Sequence, residues 1–523
     1  MSYFNLALLL LIVPALVVVY QFTPKKVKPI LLLLASYGLF FYVSKWLIAF
    51  IILSSITIYL YGLYVLWNEK RYNNEVNDDN KKEIKDKYNK RNKILFVIVL
   101  LINIGFLFVF KYLKFFTINT NLLLDLFNIN HQFKIHRIAA PIGISFYTMQ
   151  ALSYMFDINN KKVEPTKNPL KVLLYLGFFP TVMEGPITRF NDVSDDLVKG
   201  EKVSYKNFCH GYQRILWGLF KKLVIADRLN ILVKYVFLNY ASLGSFTVFL
   251  GAVAYTILLY SEFSGTMDVV IGIGEIFNLK LTENFRQPFF SKNISDFWTR
   301  WHITLGTWFK DYIFYPVSLS KPMKKLNSSI RKHLKNRTGP LLTGGIALFC
   351  VWSLNGLWHG AGWTFLFFGM YHFILILLGN IFEPWFIKLC SLLHIKRESK
   401  AYTAFRIVKT WFFIFIGEMF FRAPTLTVGF GMLKGIFSFK GLGSRELLSL
   451  GLDGKDYAIL FISIIVLFII GIFREKKIDL REELDNKNIY FRWFIYYLLI
   501  FAIMIFGAYG TGYVPVDPIY ADF

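Results

Sequence analysis

Apolar residues in this chain are gathered into blocks whose lengths approach the ~20 residues that a helix needs to cross the hydrocarbon core of a bilayer. The clearest run over residues 4–22, 29–45, 47–66 and 94–113. Further blocks lie near 140–157, 169–183, 208–226, 245–260, 341–357, 361–382, 404–421, 457–473 and 491–508. None alternates in the manner of a barrel strand, so helices are the only spanning element the pattern allows. Several blocks are short or broken by Gly, Pro or charge. The expectation is an all-α polytopic transmembrane protein of roughly ten to twelve spans, with re-entrant or interfacial helices among them. Composition agrees: 55% of the 523 residues are hydrophobic and only 18% are charged, below the roughly 25% usual for soluble domains. No internal repeat or soluble domain is visible. The chain reads as a single integral membrane domain, 1–523, ending in a span and tail at 491–523.

Charge orients these spans. The first block has no charged leader and no small-residue cleavage site, and Lys25, Lys26 and Lys28 follow it, so it is not a cleavable signal. The positive-inside rule then predicts an extracytoplasmic N-terminus and a cytoplasmic 23–28 segment. Two blocks later, residues 68–93 carry nine Lys/Arg against six Asp/Glu, and this hydrated segment, helical in part, falls on the same side. The 321–337 segment has seven cations and no acid, and the chain after Arg492 has no base. The first is predicted inside and the C-terminus outside, and the abundance of Lys, Asn and Ile points to a bacterial source and hence its plasma membrane. The Gly/Ser/Leu-rich residues 438–456 read as an exterior loop.

The net charge of +25 has two readings: basic loops facing anionic membrane lipid, or a site for an acidic partner such as a nucleotide-bearing cofactor or an acidic carrier protein. Nucleic acid is not expected as a partner, because the cations sit in short segments between spans. Cys209, Cys350 and Cys390 lie in or beside apolar blocks and show neither metal spacing nor a disulfide framework. No metal and no resident cofactor is expected.

Chemistry is expected between residues 140 and 372, where polar groups intrude into apolar sequence, since such groups are costly in a membrane and face interior cavities. Of the eight histidines, His131, His136, His333 and His394 sit in polar surroundings, and His210 and His372 read as structural residues of apolar helices. Two remain. His359 stands in Asn355-Gly-Leu-Trp358-His359-Gly360-Ala-Gly362-Trp363. Burial between tryptophans would keep its imidazole neutral and fit to take a proton from a hydroxyl, and the adjacent glycines would admit a substrate close to the backbone. The alternative is a buried histidine filling a kink between two spans.

His302 stands in Asp296-Phe-Trp298-Thr-Arg300-Trp301-His302-Ile-Thr-Leu305. Trp298, His302, Leu305 and Phe309 recur at helical spacing, with Asp296 and Arg300 as an i,i+4 pair. This predicts one amphipathic helix, either lining a cavity or anchoring at the interface. The Phe178–Arg189 stretch, broken by Pro180 and Pro186, places Glu184 and Arg189 at a helix interruption, and Asn284–Phe290 forms an irregular polar turn. Glu262 and Asp268 flank Gly265 in an apolar block, where ion pairing, a structural hydrogen bond and chemistry are all open.

At these residues the chain resembles the membrane-bound O-acyltransferase family. The resemblance rests on Phe178–Arg189, Glu283–Pro316 and Trp358-His359-Gly360, supported by Pro141–Thr148 and Phe420–Pro424. It spans about 140–425 and is strongest to the bacterial branch of alginate and peptidoglycan O-acetylation subunits and teichoic-acid D-alanyl transfer proteins. It implies a ring of tilted helices around a central tunnel, with His359 catalytic and His302 the second site histidine. It further implies that Asn355, Asp311, Arg300, Trp301, Trp358, Glu184 and Arg189 position substrate or line the tunnel.

The expected activity is transfer of an acyl group, acetyl first, from cytoplasmic acetyl-CoA or an acylated carrier protein to a hydroxyl of an extracytoplasmic polysaccharide. A secreted or membrane-anchored acyltransferase is the expected partner. D-alanyl transfer to teichoic acid is the alternative, and a transporter or scaffold without chemistry is the rival class. At the C-terminus, Tyr520 reads either as an interfacial anchor or as an acyl relay.

Overall fold

The computed structural model describes residues 4–5, 7–136, 138–333, 338–439, 441, 448, 450–509 and 513. Among them the secondary structure is helical, with one isolated bridge between Phe285 and Trp301. Seven helical runs are long and apolar enough to cross a membrane: Lys28–Glu75, Lys81–Leu126, Ser245–Ile276, Thr338–His359, Trp363–Leu392, Gly454–Glu475 and Ile489–Phe506. The first has 48 residues, roughly 70 Å of helix at 1.5 Å per residue, more than twice a bilayer core. It is divided at Lys45, whose φ is 52°, into Lys28–Ser44 and Ile48–Glu75, matching the two apolar blocks in the sequence. The Leu8–Phe22 helix is apolar but shorter than a full crossing.

Although the sequence offers no internal boundary, the described chain falls into two compact units, one of Met1–Tyr212 with Val270–Thr282, the other of Gln213–Val269 with Glu283–Asp522. In the first, the charged stretch 68–93 is helical except near residues 76–80: Ile48–Glu75 and Lys81–Leu107 form a hairpin. Asn68 Nδ2 donates to Asn92 Oδ1 at 2.6 Å across it, and Asn103 Nδ2 to Thr57 Oγ1 at 3.2 Å. Ile144–Asn159 is buried almost throughout. It begins at Gly143, whose φ is 70° and where a Cβ would lie 1.8 Å from the Val182 carbonyl oxygen, so only glycine admits the interrupted 178–189 stretch this close.

In the second unit, Thr338–His359 and Trp363–Leu392 form a tight antiparallel pair joined by a short turn. A Cβ on Gly369 would lie 2.3 Å from the Trp352 carbonyl oxygen, and one on Gly356 2.5 Å from that of Phe365. Small residues let the two backbones approach, as packing in lipid requires. In the same unit Lys221 and Lys222 lie on a π-helical segment, Phe220–Ala226. Lys221 Nζ lies 2.6 Å from Asp268 Oδ2, Arg214 Nε 2.9 Å from Asp268 Oδ1, and Lys222 Nζ 2.8 Å from Glu262 Oε2 and 2.9 Å from Asp227 Oδ1. Of the readings open for Glu262 and Asp268, ion pairing is the one observed. Buried charge of each sign is matched at contact distance, the condition for tolerating it away from water.

Candidate active site

His302 does not lie on a continuous amphipathic helix as the spacing predicts. Two short helices, Ile294–Arg300 and Ile303–Phe309, meet at it. Asn293 caps the first, its side chain accepting from the Asp296 N–H at 2.8 Å, and the Asp296–Arg300 pair forms at 2.8 Å. The helix then stops because the backbone pairs elsewhere. Trp301 is extended and bridges Phe285, the Arg286 N–H donates to the Arg300 carbonyl at 2.9 Å, and the Ile303 N–H donates to the Asn284 carbonyl at 3.0 Å. His302 takes up the change of direction with φ 46° and ψ 52°. This left-handed conformation costs a non-glycine residue about 1–3 kcal/mol and gathers at functional sites. Helical periodicity cannot reveal such a break, because the cross-chain pairing that causes it comes from the Asn284 segment.

The imidazole of His302 is buried, 2% exposed. Its ring packs edge-on to Phe263 at 4.8 Å and lies 5.7 Å from Trp358 and 6.4 Å from His359 between ring centres. Burial alone pushes its pKa down to about 3, so it is neutral under physiological conditions. Nδ1 lies 3.3 Å from Asn284 Oδ1. The same oxygen accepts from the Thr304 N–H at 3.0 Å and the Thr304 hydroxyl at 2.8 Å.

His359 closes the Thr338–His359 helix and is likewise buried. It therefore stands at a helix end, at the turn between two spans, beside aromatic rings: Trp358 at 5.1 Å, Phe421 at 5.2 Å and Phe368 at 5.9 Å. At Gly360 a Cβ would fall 2.3 Å from the Phe365 ring, so the missing side chain makes room for Phe365. Asn355, one turn before His359, is buried, and its Oδ1 has no hydrogen-bond partner among the described residues.

The remaining candidates divide. Trp358 packs against both histidines, while Trp301 stacks on Phe297 at 5.3 Å and holds the chain beside His302. Arg300 binds the carboxylates of Asp296 and Glu475, each at 2.8 Å, which gives its guanidinium a structural role. Asp311 is half-buried on the π-turn Lys310–Phe314. Glu184 and Arg189 belong to the first unit, Glu184 buried in the interrupted stretch and Arg189 preceding the Phe190–Lys199 helix. Tyr520 lies outside the described residues. His372 is structural, as read: Trp298 Nε1 donates to its Nδ1 at 3.3 Å. Asn284 also belongs to this site, and its only signal in the sequence is its place in the polar turn before the histidine segment.

The model of the membrane-bound O-acyltransferase family matches residues 39–330, a stretch that includes His302 and stops short of His359. The chain is 29% identical over 466 residues to the probable alginate O-acetylase AlgI of Azotobacter vinelandii, covering 89% of this chain and 83% of that protein. Over 383 residues it is 30% identical to the peptidoglycan O-acetyltransferase of Helicobacter pylori, covering 68% and 66% of the two chains. Over 258 residues it is 30% identical to the teichoic acid D-alanyltransferase of Bacillus subtilis, covering 48% and 61%.

Proposed function

The chain belongs to the membrane-bound O-acyltransferase family, and from that membership we propose that it transfers an acetyl group from a cytoplasmic thioester to a hydroxyl of an extracytoplasmic cell-surface polysaccharide. The observation that carries the reading is the convergence of His302 and His359, 6.4 Å apart, in an aromatic enclosure. Neither elements nor sequence neighbourhood force that meeting, and a transporter or scaffold gives it no purpose.

In the proposed reaction His359 takes the proton of the acceptor hydroxyl. The oxygen attacks the thioester carbonyl, the carbon–sulfur bond breaks, and the departing thiolate recovers a proton. His302, Asn355 and Asp311 hold donor or acceptor in place, with Asn355 offering a buried carbonyl oxygen. The donor is acetyl-CoA or an acylated carrier protein, and the basic helix Lys321–His333 supplies cations for its phosphates or acidic surface. Ten to twelve crossings around a tunnel would place the donor inside and the acceptor outside, with both termini outside. A secreted or membrane-anchored acyltransferase would complete delivery.

Support for acetyl transfer comes from the alginate and peptidoglycan relatives, the former along most of both chains. The teichoic acid relatives favour D-alanyl transfer as the second reading. Reconstituted protein separates them: acetyl-CoA thioester should be consumed in the presence of polysaccharide acceptor. Consumption of D-alanyl carrier protein alone would establish the second reading instead.

A further inference from the structure

His302 occupies the position that begins the Ile303–Phe309 helix, and its carbonyl accepts the first helical bond, from the Gly306 N–H at 3.0 Å. A residue there ordinarily turns its side chain back on the exposed N–H groups of the first turn. His302 does not. That duty is taken by Asn284, whose Oδ1 accepts from the Thr304 N–H at 3.0 Å. Because the cap comes from another segment of chain, the imidazole is left for other work.

The orientation of the Asn284 amide follows from its neighbours. Oδ1 must face Thr304, because Nδ2 placed there would set donor against a backbone donor. Nδ2 then points to Met267 Sδ at 3.1 Å. The oxygen so fixed faces His302 Nδ1 at 3.3 Å. With the proton on Nδ1, this contact is a hydrogen bond in which Nδ1–H donates. With the proton on Nε2, two lone pairs would oppose each other. Nε2 would also hold a buried donor with no acceptor among the described residues, at a cost of about 1–3 kcal/mol.

We infer that Asn284 is a positioning residue that holds His302 as its Nδ1–H tautomer, leaving the Nε2 lone pair as a buried acceptor that orients the polysaccharide through a hydroxyl other than the one His359 deprotonates. The role for Nε2 rests on the acyl-transfer reading; the tautomer does not. The ionisable group facing His302 from the Thr338–His359 helix is His359. The Ser245–Ile276 helix presents Phe263 to its ring.

Two measurements test this, and they fail separately. Solid-state NMR on protein with 15N-labelled histidine, with the His302 signals identified by their loss in His302→Gln, reads the tautomer whether or not the protein turns over. The wild type should show protonated Nδ1 and bare Nε2. Asn284→Leu, which keeps the volume and removes the acceptor, should lose that single form. A wild-type Nε2–H signal overturns the inference.

Kinetics then tests its consequence. Asn284→Asp retains the acceptor and adds a negative charge that favours imidazolium. It should retain more transfer activity than Asn284→Leu at neutral pH, and lose that activity at a higher pH than wild type as the medium is acidified. Asn284→Leu should lower kcat by roughly tenfold or more, and neither variant should have any further effect on a His302→Ala background. Unshifted profiles, or full losses that add to His302→Ala in properly folded protein, would leave Asn284 as a helix cap only. Absence of any transfer by wild type would sink the acyl-transfer reading while the NMR result stood.

Discussion

The imidazole rings of His302 and His359 lie 6.4 Å apart between centres at an interplanar angle of 64°, one held at the break between two short helices and the other at the last residue of a long one. Both are buried, and Trp358 touches each. Burial of the His302 imidazole disfavours its charged form, and this has a consequence in stability as well as in chemistry.

Burial holds the folded-state pKa of His302 near 3, against 6.5 when exposed. Below pH 6.5 the unfolded chain therefore binds a proton that the folded chain does not, and stability rises with pH across this window. Thermal unfolding in detergent should show stability lost progressively as pH falls from about 6.5 toward 3, with a shallower loss in His302→Gln. Identical slopes for the two proteins would mean that His302 titrates normally in the fold.

Asp268 pairs with Lys221 and Arg214 at 2.6 and 2.9 Å, all three buried. Removing one partner of a buried pair leaves uncompensated charge and destabilises by about 3–5 kcal/mol. Asp268→Asn should accordingly lower the unfolding midpoint by many degrees. A shift of a degree or two would show that water reaches this cluster.

The positive-inside rule predicts residues 68–93 inside and the C-terminus outside. In intact cells, Asp78→Cys should resist a membrane-impermeant thiol reagent and Pro515→Cys should react with it. The opposite pattern would reverse the direction of acyl flow.

Tyr520 follows Pro515 and Pro518 in the sequence. If it relays the acyl group, intact-mass analysis after incubation with donor should find the acyl mass on the C-terminal peptide of wild type and not of Tyr520→Phe. An unlabelled tail during active transfer would leave it as an anchor.

Much of the fold could be read from the sequence because bilayer thickness fixes the length of an apolar helix, and blocks such as 341–357 and 361–382 reappear as Thr338–His359 and Trp363–Leu392. The two histidines and the Asp296–Arg300 pair were equally legible, the first from their tryptophan-rich surroundings and the second from its spacing. What escaped was set by contacts remote in sequence. The break at His302 depends on pairing with Asn284 and Phe285, the filling of the Gly360 site depends on Phe365, and Arg300 is claimed by Glu475. No local pattern carries such information.

The central claim is that the histidine pair performs acyl transfer, and the most direct measurement is the rate of transfer from acetyl-CoA to polysaccharide by reconstituted His359→Ala beside wild type. General-base catalysis contributes about 10²–10⁴-fold. The variant should therefore insert and unfold like wild type yet lose at least about a hundredfold in rate, with His302→Ala impaired to a lesser degree. A loss of only a few-fold in well-folded His359→Ala protein would contradict the account.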